Sequence, residues 1–542
     1  MRKVVSRFVL LFILSSIMCK LPAQVVEQWS RRYNGPANDI DLLTTMMVDN
    51  QANIYVAGRS TGVDTNQDFC IVKYSPSGDE DLVLRFDGEI SSWDEIYDLA
   101  VDELGNIYAT GISYYSAMTI KYANDGTLMW NIEQDSASGR CIRVDDFGDI
   151  YVGFNKATGY GSEILIKKYS TAGLTLWSTT IRQDSIYGDE LVDMQIDQQG
   201  NVYIIGQTHN QVWEDEFVLS DIITVKLDSG GNELWRRMYS ARSESNDYPF
   251  KVQFDKQGNI IIGATVEYNI AGYIVIKYSE NGDRLWTRIY NGPYGTDIAR
   301  DITVDTDDNI IITGYSYKAD EDFNIQTIKY DSSGNELWAV QYNGPGNTRD
   351  FAFSLISDPL NNIYITGGSK HGSTGYDTCV TIKYDKDSNK IWAVSYSDSL
   401  GLSSYGKHIS FDIYGDIIVA ATSIGNGSGW DYLTIKYDQY TVGILNDTHI
   451  ENRFHLSNYP NPFNPITTIT YNLINETDVL VLIYNLRGEQ ITQLLNDRKS
   501  AGLYEIQWNG CDRNGKLVPS GVYFCLLKTE TQIQSKKVLF IR

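Results

Sequence analysis

The stretch KYDSSGNELW, residues 329–338, returns along the chain with its spacing intact: KYANDGTLMW at 121–130, KYSTAGLTLW at 168–177, KLDSGGNELW at 226–235, KYSENGDRLW at 277–286 and KYDKDSNKIW at 383–392. Each copy leaves a strand-like segment at Lys, passes a turn rich in Asp, Ser, Gly and Asn, and enters a second strand at Trp. Gly and Asn accept the left-handed backbone that such tight hairpins require. With the tryptophan as register mark, the phrase falls at Trp29, Trp130, Trp177, Trp235, Trp286, Trp338 and Trp392, with Leu82 in its place once, at intervals of 47 to 58 residues.

Each interval holds four strand-like runs; around Trp286 they are RLWTRIY, ARDITVD, NIIITGYS and IQTIKY. Four short antiparallel strands per repeat describe a β-propeller blade. The ends of the array separate a ring from an open solenoid. EQWSRRYNG (27–35) is a Trp strand with no Lys strand before it, and YLTIKYDQ (432–439) is a Lys strand with no Trp strand after it. Pairing the two supplies the missing fourth strand and removes an open sheet edge, whereas a solenoid carries capping repeats. The sequence therefore predicts an all-β chain whose residues 24–440 form an eight-bladed β-propeller closed by its N-terminal strand.

Ahead of the repeat, MRKVVSRFVLLFILSSIMCKLPAQ has a basic start, an apolar run from Phe8 to Leu14 and a Pro-Ala-Gln boundary, the pattern of a secretory signal peptide over 1–23. No later run is apolar for long enough to predict a membrane span. The net charge of −24, from 45 basic and 69 acidic residues, argues against nucleic acid and anionic membranes as partners. Cys70, Cys141 and Cys379 lie in strand-like contexts and read as small buried hydrophobes. Cys511 and Cys525 are left as a pair that an oxidising compartment would permit.

Three polar positions recur. An aspartate ends each first strand (Asp49, Asp102, Asp145, Asp197, Asp255, Asp305, Asp358 and Asp412), before a turn commonly ending in Gly-Asn; it reads as a cap on backbone N–H groups. In DTDDN, 305–309, the oxygen density also leaves calcium open as a ligand; no cofactor is otherwise predicted and the metal content is left unknown. A lysine in each third strand (Lys73, Lys121, Lys168, Lys226, Lys277, Lys329, Lys383 and Lys436) reads as paired with an acid or snorkelling to the rim. A second aspartate stands eight residues before the first at Asp41, Asp94, Asp189, Asp247, Asp297 and Asp350, with Ala137 and Ser404 in the other two blades. It is expected where the inner strands begin, at the mouth of the channel, either as a cation or cationic-ligand site or as a loop brace.

The loops expected to share that mouth vary most in length and composition, as binding loops on a rigid scaffold do. Trp93, Tyr160, Trp213, Tyr294 and Trp430 read as loop aromatics among carboxylates and amides, suited to a sugar or peptide ligand or else to local packing. His209, His371 and His408 fall in different repeats with no metal-ligand spacing, and there is no nucleophile elbow or phosphate loop, so no catalytic residue is assigned.

After a linker over 441–455 the pattern changes. The segment LSNYPNPFNPITTITYNL, 456–473, precedes the strand-like runs VLVLIYNLRGEQI, YEIQWNG, VYFCLLKT and KKVLFIR. Residues 456–542 are predicted to form a small immunoglobulin-like β-sandwich. The run Tyr459, Pro460, Asn461, Pro462, Phe463, Asn464, Pro465, with GLYEIQWNGCDRNGKLVPSGVYF and the basic terminal KKVLFIR, resembles the type A C-terminal sorting domain of the type IX secretion system, and the related FlgD-like immunoglobulin fold. That resemblance implies engagement with the secretion machinery and export to the outer-membrane exterior of a Bacteroidetes-type Gram-negative cell, released or attached. The repeats resemble the bacterial β-propeller repeats termed SBBP. Asp149 and Asp416 replace the usual Asn of the Gly-Asn turn, and Phe154, Ala264 and Ala421 replace the glycine closing the second strand, so those blades are expected to bend differently. This second resemblance implies fold and surface location and no agreed chemistry.

The function expected is a secreted, surface-displayed binding or adhesion module for a glycan or protein ligand. The alternatives are an extracellular glycoside hydrolase or lyase on the same scaffold, and a purely structural surface component.

Overall fold

The computed structural model describes residues 24–440 and 455–541, apart from 89–92, 160, 184–186, 214–216, 243, 268–270, 320, 371–375, 398–400, 460–462, 464, 474–475, 486–488, 501 and 530–532. The predicted signal peptide and residues 441–454 of the linker lie outside the described residues. Everything regular within them is β-strand, and contacts divide the chain near Val442 into two units.

The first unit contains eight four-stranded antiparallel sheets resembling propeller blades, seven of them built from four consecutive strands. Their inner strands are Asp41–Val48, Asp94–Val101, Ala137–Val144, Asp189–Ile196, Asn246–Phe254, Asp297–Val304, Asp350–Ser357 and Ser404–Phe411, in blades 1 to 8. Blade 8 has three consecutive strands, ending with Gly429–Tyr440, and takes Gln24–Tyr33 as its fourth, paired antiparallel from Gln24↔Tyr440 to Tyr33↔Tyr432. Each inner strand touches the next, and that of blade 8 touches that of blade 1. The apolar core lies between sheets. Ile311 and Ile325 of blade 6 pack with Leu355 and Ile365 of blade 7, and Trp29, Ile418 and Tyr432 of blade 8 pack with Leu43, Ile54 and Tyr74 of blade 1.

The repeated phrase has a physical reason at the outer edge. In the turn of KYDSSGNELW, Asp331 Oδ1 accepts from the Asn335 amide at 2.8 Å and Gly334 adopts φ +83°. A Cβ on Gly334 would fall 2.9 Å from the Trp286 ring, which belongs to the preceding blade. Glycine is thus demanded twice, by the backbone and by the indole seated on it. The Trp286 N–H donates to the Ser332 carbonyl at 3.1 Å. The same bond runs from Trp29 to Pro76 at 3.2 Å, Trp130 to Thr171 at 3.2 Å, Trp177 to Ser229 at 2.9 Å, Trp235 to Glu280 at 3.0 Å and Trp338 to Lys386 at 3.0 Å. Trp29, at the chain start, therefore does for blade 1 what the internal tryptophans do elsewhere.

At the inner edge every first strand carries a β-bulge, after Leu43, Ile96, Gly139, Leu191, Pro249, Ala299, Ala352 and Gly406. Blades 3, 5 and 8, expected to bend differently for want of the second-strand glycine, keep the bulge at the same register. In two of them a glycine stands on the inner strand instead, with Gly139 facing Phe154 and Gly406 facing Ala421.

The second unit holds a three-stranded sheet (His455–Tyr459, Thr467–Leu473, Gly502–Trp508) and a four-stranded one (Gln490–Lys499, Thr477–Asn485, Gly521–Lys528, Ile533–Phe540) around one core. Phe463 of the predicted sorting motif is buried in it, 5.2 Å from the Trp508 ring and 4.8 Å from Phe540. Its backbone bonds Leu539 and Ile541, tying the entry of this unit to its last strand. Pro465 is exposed; Tyr459 pairs through its backbone with Thr468, and Pro460, Asn461, Pro462 and Asn464 lie outside the described residues. Cys511 and Cys525 are free thiols, as are Cys70, Cys141 and Cys379.

Candidate functional site

The aspartates that end the inner strands are turn caps. Asp49 Oδ1 accepts the amides of Gln51 and Asn53 at 2.8 and 2.9 Å, and the other seven repeat the pattern. Their second oxygen meets the recurring lysine in two ways. Where the second strand offers tyrosine, as at Tyr55, Tyr108, Tyr151, Tyr203 and Tyr364, the phenol donates to that oxygen at 2.9 to 3.2 Å. The lysine then lies over the tyrosine ring, 4.7 to 5.5 Å from its centre, and in blade 3 Lys168 also reaches Asp145 at 3.4 Å. Where the same position is isoleucine (Ile261, Ile311, Ile418), Lys277, Lys329 and Lys436 reach the carboxylates of Asp255, Asp305 and Asp412 directly at 2.8 Å. Burial alone would raise the Asp255 pKa; the Lys277 ammonium and Asn259 amide reverse this and hold it below the usual carboxylate range. In DTDDN, Asp305 is engaged in the same manner by Lys329 and Asn309.

All six carboxylates of the second set are buried, at 0 to 1 % exposure. Each stands first in its inner strand, or second in the case of Asp247, and accepts a backbone N–H from the incoming loop: Gly35 to Asp41 at 2.6 Å, Gly88 to Asp94 at 2.8 Å, Gln183 to Asp189 at 2.6 Å, Ala241 to Asp247 at 2.6 Å, Gly292 to Asp297 at 2.5 Å and Gly344 to Asp350 at 2.7 Å. Across the strand pair stands Ser60, Ser113, Ser316 or Ser369, or Thr208 opposite Asp189. The glycines of the NGP loops are needed here too, since a Cβ on Gly35 would fall 2.3 Å from the Ser60 hydroxyl and 2.7 Å from Asp41. This is bracing geometry. Asp247 faces Val266 instead of a hydroxyl; burial pushes its pKa up to about 6, against the Ala241 amide and the Ser245 hydroxyl.

The bulged residues stand out of pairing and change from blade to blade: Thr44, Tyr97, Arg140, Val192, Phe250, Arg300, Phe353 and Lys407. A bulge re-aims its side chain away from the ladder. The following positions stitch the inner strands together. Asp98 holds Arg143 and the Ile142 amide, Asp193 holds Arg143 and the Val252 amide, and Asp301 holds Lys251 and the Leu355 amide. Between blades 8 and 1 the His408 Nε2–H donates to the Thr44 carbonyl at 2.7 Å, and burial keeps this ring's pKa low.

Blades 7, 8, 1 and 2 together line a cavity of about 540 Å3 whose walls include Phe353, Tyr405, Lys407, Trp430, Thr44 and Glu95. Tyr405 and Trp430 form a tilted ring pair at 5.7 Å, and Lys407 Nζ lies 4.5 Å over the Phe353 ring. Glu95 is held by Arg59 at 3.2 Å and Thr44 at 3.3 Å. Of the loop aromatics, the structure brings Trp430 into this cavity, on a strand and not in a loop. Trp93 is half exposed, with Arg59, the partner of Glu95, 4.8 Å over its ring. Tyr294 is exposed elsewhere, edge-on to Tyr317 at 6.4 Å. Trp213 sits at the end of the strand Val202–Trp213, paired through its backbone with Phe217, and Tyr160 lies outside the described residues. The bulge residues were missed because no repeat marks them; their constant place, three residues after the second aspartate, was the available signal.

Known proteins resemble the two units separately. Residues 457–541 match the family described as the secretion system C-terminal sorting domain. That domain directs the chain through type IX secretion, and the protein is secreted or attached at the cell surface. A segment is 27% identical over 164 residues to an uncharacterized WD repeat-containing protein of Acanthamoeba polyphaga mimivirus, covering 27% of this chain and 11% of the viral protein's length. The crystal structure of Sqt1 from Chaetomium thermophilum is similar with a TM-score of 0.50 at 9% identity, covering 76% of this chain and 99% of that one. The Dos1 propeller aligns with a TM-score of 0.48 at 10% identity over 77% of this chain and 95% of its own. The likeness to Sqt1 is one of fold.

Proposed function

We propose that the chain is a closed eight-bladed propeller of the SBBP type, led to export by its N-terminal signal peptide and a C-terminal immunoglobulin-like sorting domain, and that at the cell exterior it binds an extracellular ligand without turning it over. Closure is supported by the pairing of Gln24–Tyr33 with Gly429–Tyr440, by Trp29 on the blade 1 turn and by the His408–Thr44 bond. The observation that carries the binding role is the cavity itself, where unrepeated aromatic and basic side chains converge on a scaffold otherwise built from repeats. Trp93 and Tyr294 are outlying contacts; the six buried aspartates hold the loops that shape the surface. A hydrolase of the usual kind would need two carboxylates facing the substrate, and among the described residues lining the cavity Glu95 is the one carboxylate, already tied to Arg59.

A glycan array probed with the full chain tests this role. Saturable binding without product, weakened by Trp430→Ala, is the expected result; turnover, or a Trp430→Ala chain that binds as the parent does, contradicts it. Export is tested separately by deleting 456–542, which should leave the chain in the periplasm; surface labelling of the truncated chain would count against the sorting assignment.

A further inference from the structure

Several cations on and beside the inner strands have acid partners. Lys251 has Asp301 at 2.7 Å, Arg143 has Asp98 and Asp193 at 2.6 and 2.9 Å, and Arg59 has Glu95 at 3.2 Å. The bulge cations differ. Among the described residues, none of the three (Arg140, Arg300 and Lys407) has a carboxylate at ion-pair distance, in a chain with 69 acidic residues. Arg140 lies 4.8 Å over the ring of Tyr97, the bulge residue of blade 2. Arg300 donates to the Tyr315 phenol at 2.9 Å and lies 5.4 Å over its ring. Lys407 contacts the rings of Phe353 and Tyr405. The three bulges of blades 6, 7 and 8 thus present cation, aromatic, cation in sequence. Burial first, and the Arg300 charge second, push the Lys407 pKa below its ordinary value, so the two cations feel each other. Lys407 is half-buried without an acid partner, while Arg300 is exposed. A half-buried cation repelled by a like charge raises the energy of the empty surface, and a bound anion would relieve it.

We infer that Arg300 and Lys407, with Phe353 between them and the Tyr405–Trp430 ring pair beside them, form a site for an acidic glycan, the cations taking its carboxylate or sulfate groups and the rings taking sugar faces. Ring platforms favour a sugar over an acidic peptide, because pyranose faces stack on aromatic side chains while acidic peptide side chains offer no such face. The inference rests on the binding role proposed above and specifies its ligand class.

The test uses the full chain and four soluble probes: a polyuronate, a sulfated glucan, the same glucan without sulfate, and poly-glutamate. Either acidic glycan should bind, with affinity falling as salt rises; which of the two binds more tightly identifies the anionic group. Lys407→Gln should weaken that binding at least tenfold and Arg300→Gln/Lys407→Gln further, with melting temperatures unchanged. Equal binding of the uncharged glucan, or double-variant binding equal to that of the parent, overturns the acidic-glycan assignment while leaving the binding role intact. Binding of poly-glutamate alone overturns the glycan. Binding of no probe overturns the anion site, and the array then decides the binding role by itself. Conversion of a probe to product by the parent and not by the double variant keeps the anion site and removes the non-catalytic role.

Discussion

The outer edge and the inner surface of the first unit are built by opposite rules. At the outer edge one contact recurs, an indole of one blade on the turn of the next, from Trp29 on Pro76 to Trp338 on Lys386. At the inner surface the backbone recurs, as a bulge in every blade, while its side chain runs through Thr44, Tyr97, Arg140, Val192, Phe250, Arg300, Phe353 and Lys407. Repetition of a side chain marks what every blade needs in order to pack. Repetition of a backbone feature with a variable side chain marks a position where blades can specialise, some of them towards packing, as Val192 and Phe250 do against the apolar core.

Breaking the outer edge should cost most at the chain start. Deleting residues 24–33 removes the fourth strand of blade 8 together with buried Trp29 and Tyr33, and thermal denaturation should show the cooperative melt lost or sharply lowered. Trp29→Ala alone should cost about 3–5 kcal/mol. A melt unchanged by the deletion would mean that the last sheet holds without it.

The two solutions for the recurring lysine sharpen the comparison within the repeat. Lys277 and Asp255 are a buried ion pair at 3 % and 0 % side-chain exposure, so Lys277→Met, which strands Asp255, should cost about 3–5 kcal/mol in urea unfolding. Lys121 leans on the Tyr108 ring and the Thr171 carbonyl, with the Tyr108 phenol on Asp102, so Lys121→Met should cost about 1 kcal/mol. Equal losses would show the Tyr and Ile blades to be energetically alike.

Turn glycines should divide similarly. Gly334→Ala meets both φ +83° and the Trp286 ring, whereas Gly258→Ala, at φ +76°, meets nothing within 4 Å. The second should cost about 1 kcal/mol and the first measurably more. The smallest effect is expected from pH. The buried Asp247 carboxyl has its pKa raised to about 6. Below the unfolded value of about 3.9 both states are protonated. Between there and 6 the folded state holds a proton the unfolded state has released, so stability falls as pH rises through that window. Melting curves from pH 4 to 7 should show the parent losing ground to Asp247→Asn; parallel curves would mean that the burial of Asp247 has no energetic consequence.

Much of this was legible in the sequence for the same reason that it is structural. Trp29 without its Lys strand predicted the pairing of Gln24–Tyr33 with Gly429–Tyr440, and the Asp-Gly-Asn turns announced their caps, because identical contacts write identical residues. Trp213 and Trp430, expected in loops, stand on strands, because polar residues around each tryptophan hide strands that run on past the apolar pattern, as in Val202–Trp213 and Gly429–Tyr440. The bulges left no such trace. A register shift lives in the backbone, and Arg300, Phe353 and Lys407 share no chemistry that would align them. The buried aspartates drew attention because they repeat, and repetition there reported bracing.

One measurement compares the two regions most directly: polyuronate titration of Trp286→Ala and Lys407→Gln at a temperature below both melts. The outer-edge variant should melt lower yet bind as the parent does, and the bulge variant should melt like the parent and lose at least tenfold in affinity. A Lys407→Gln chain that binds normally, or a folded Trp286→Ala chain that does not bind, would contradict the division between a repeated frame and an unrepeated binding surface.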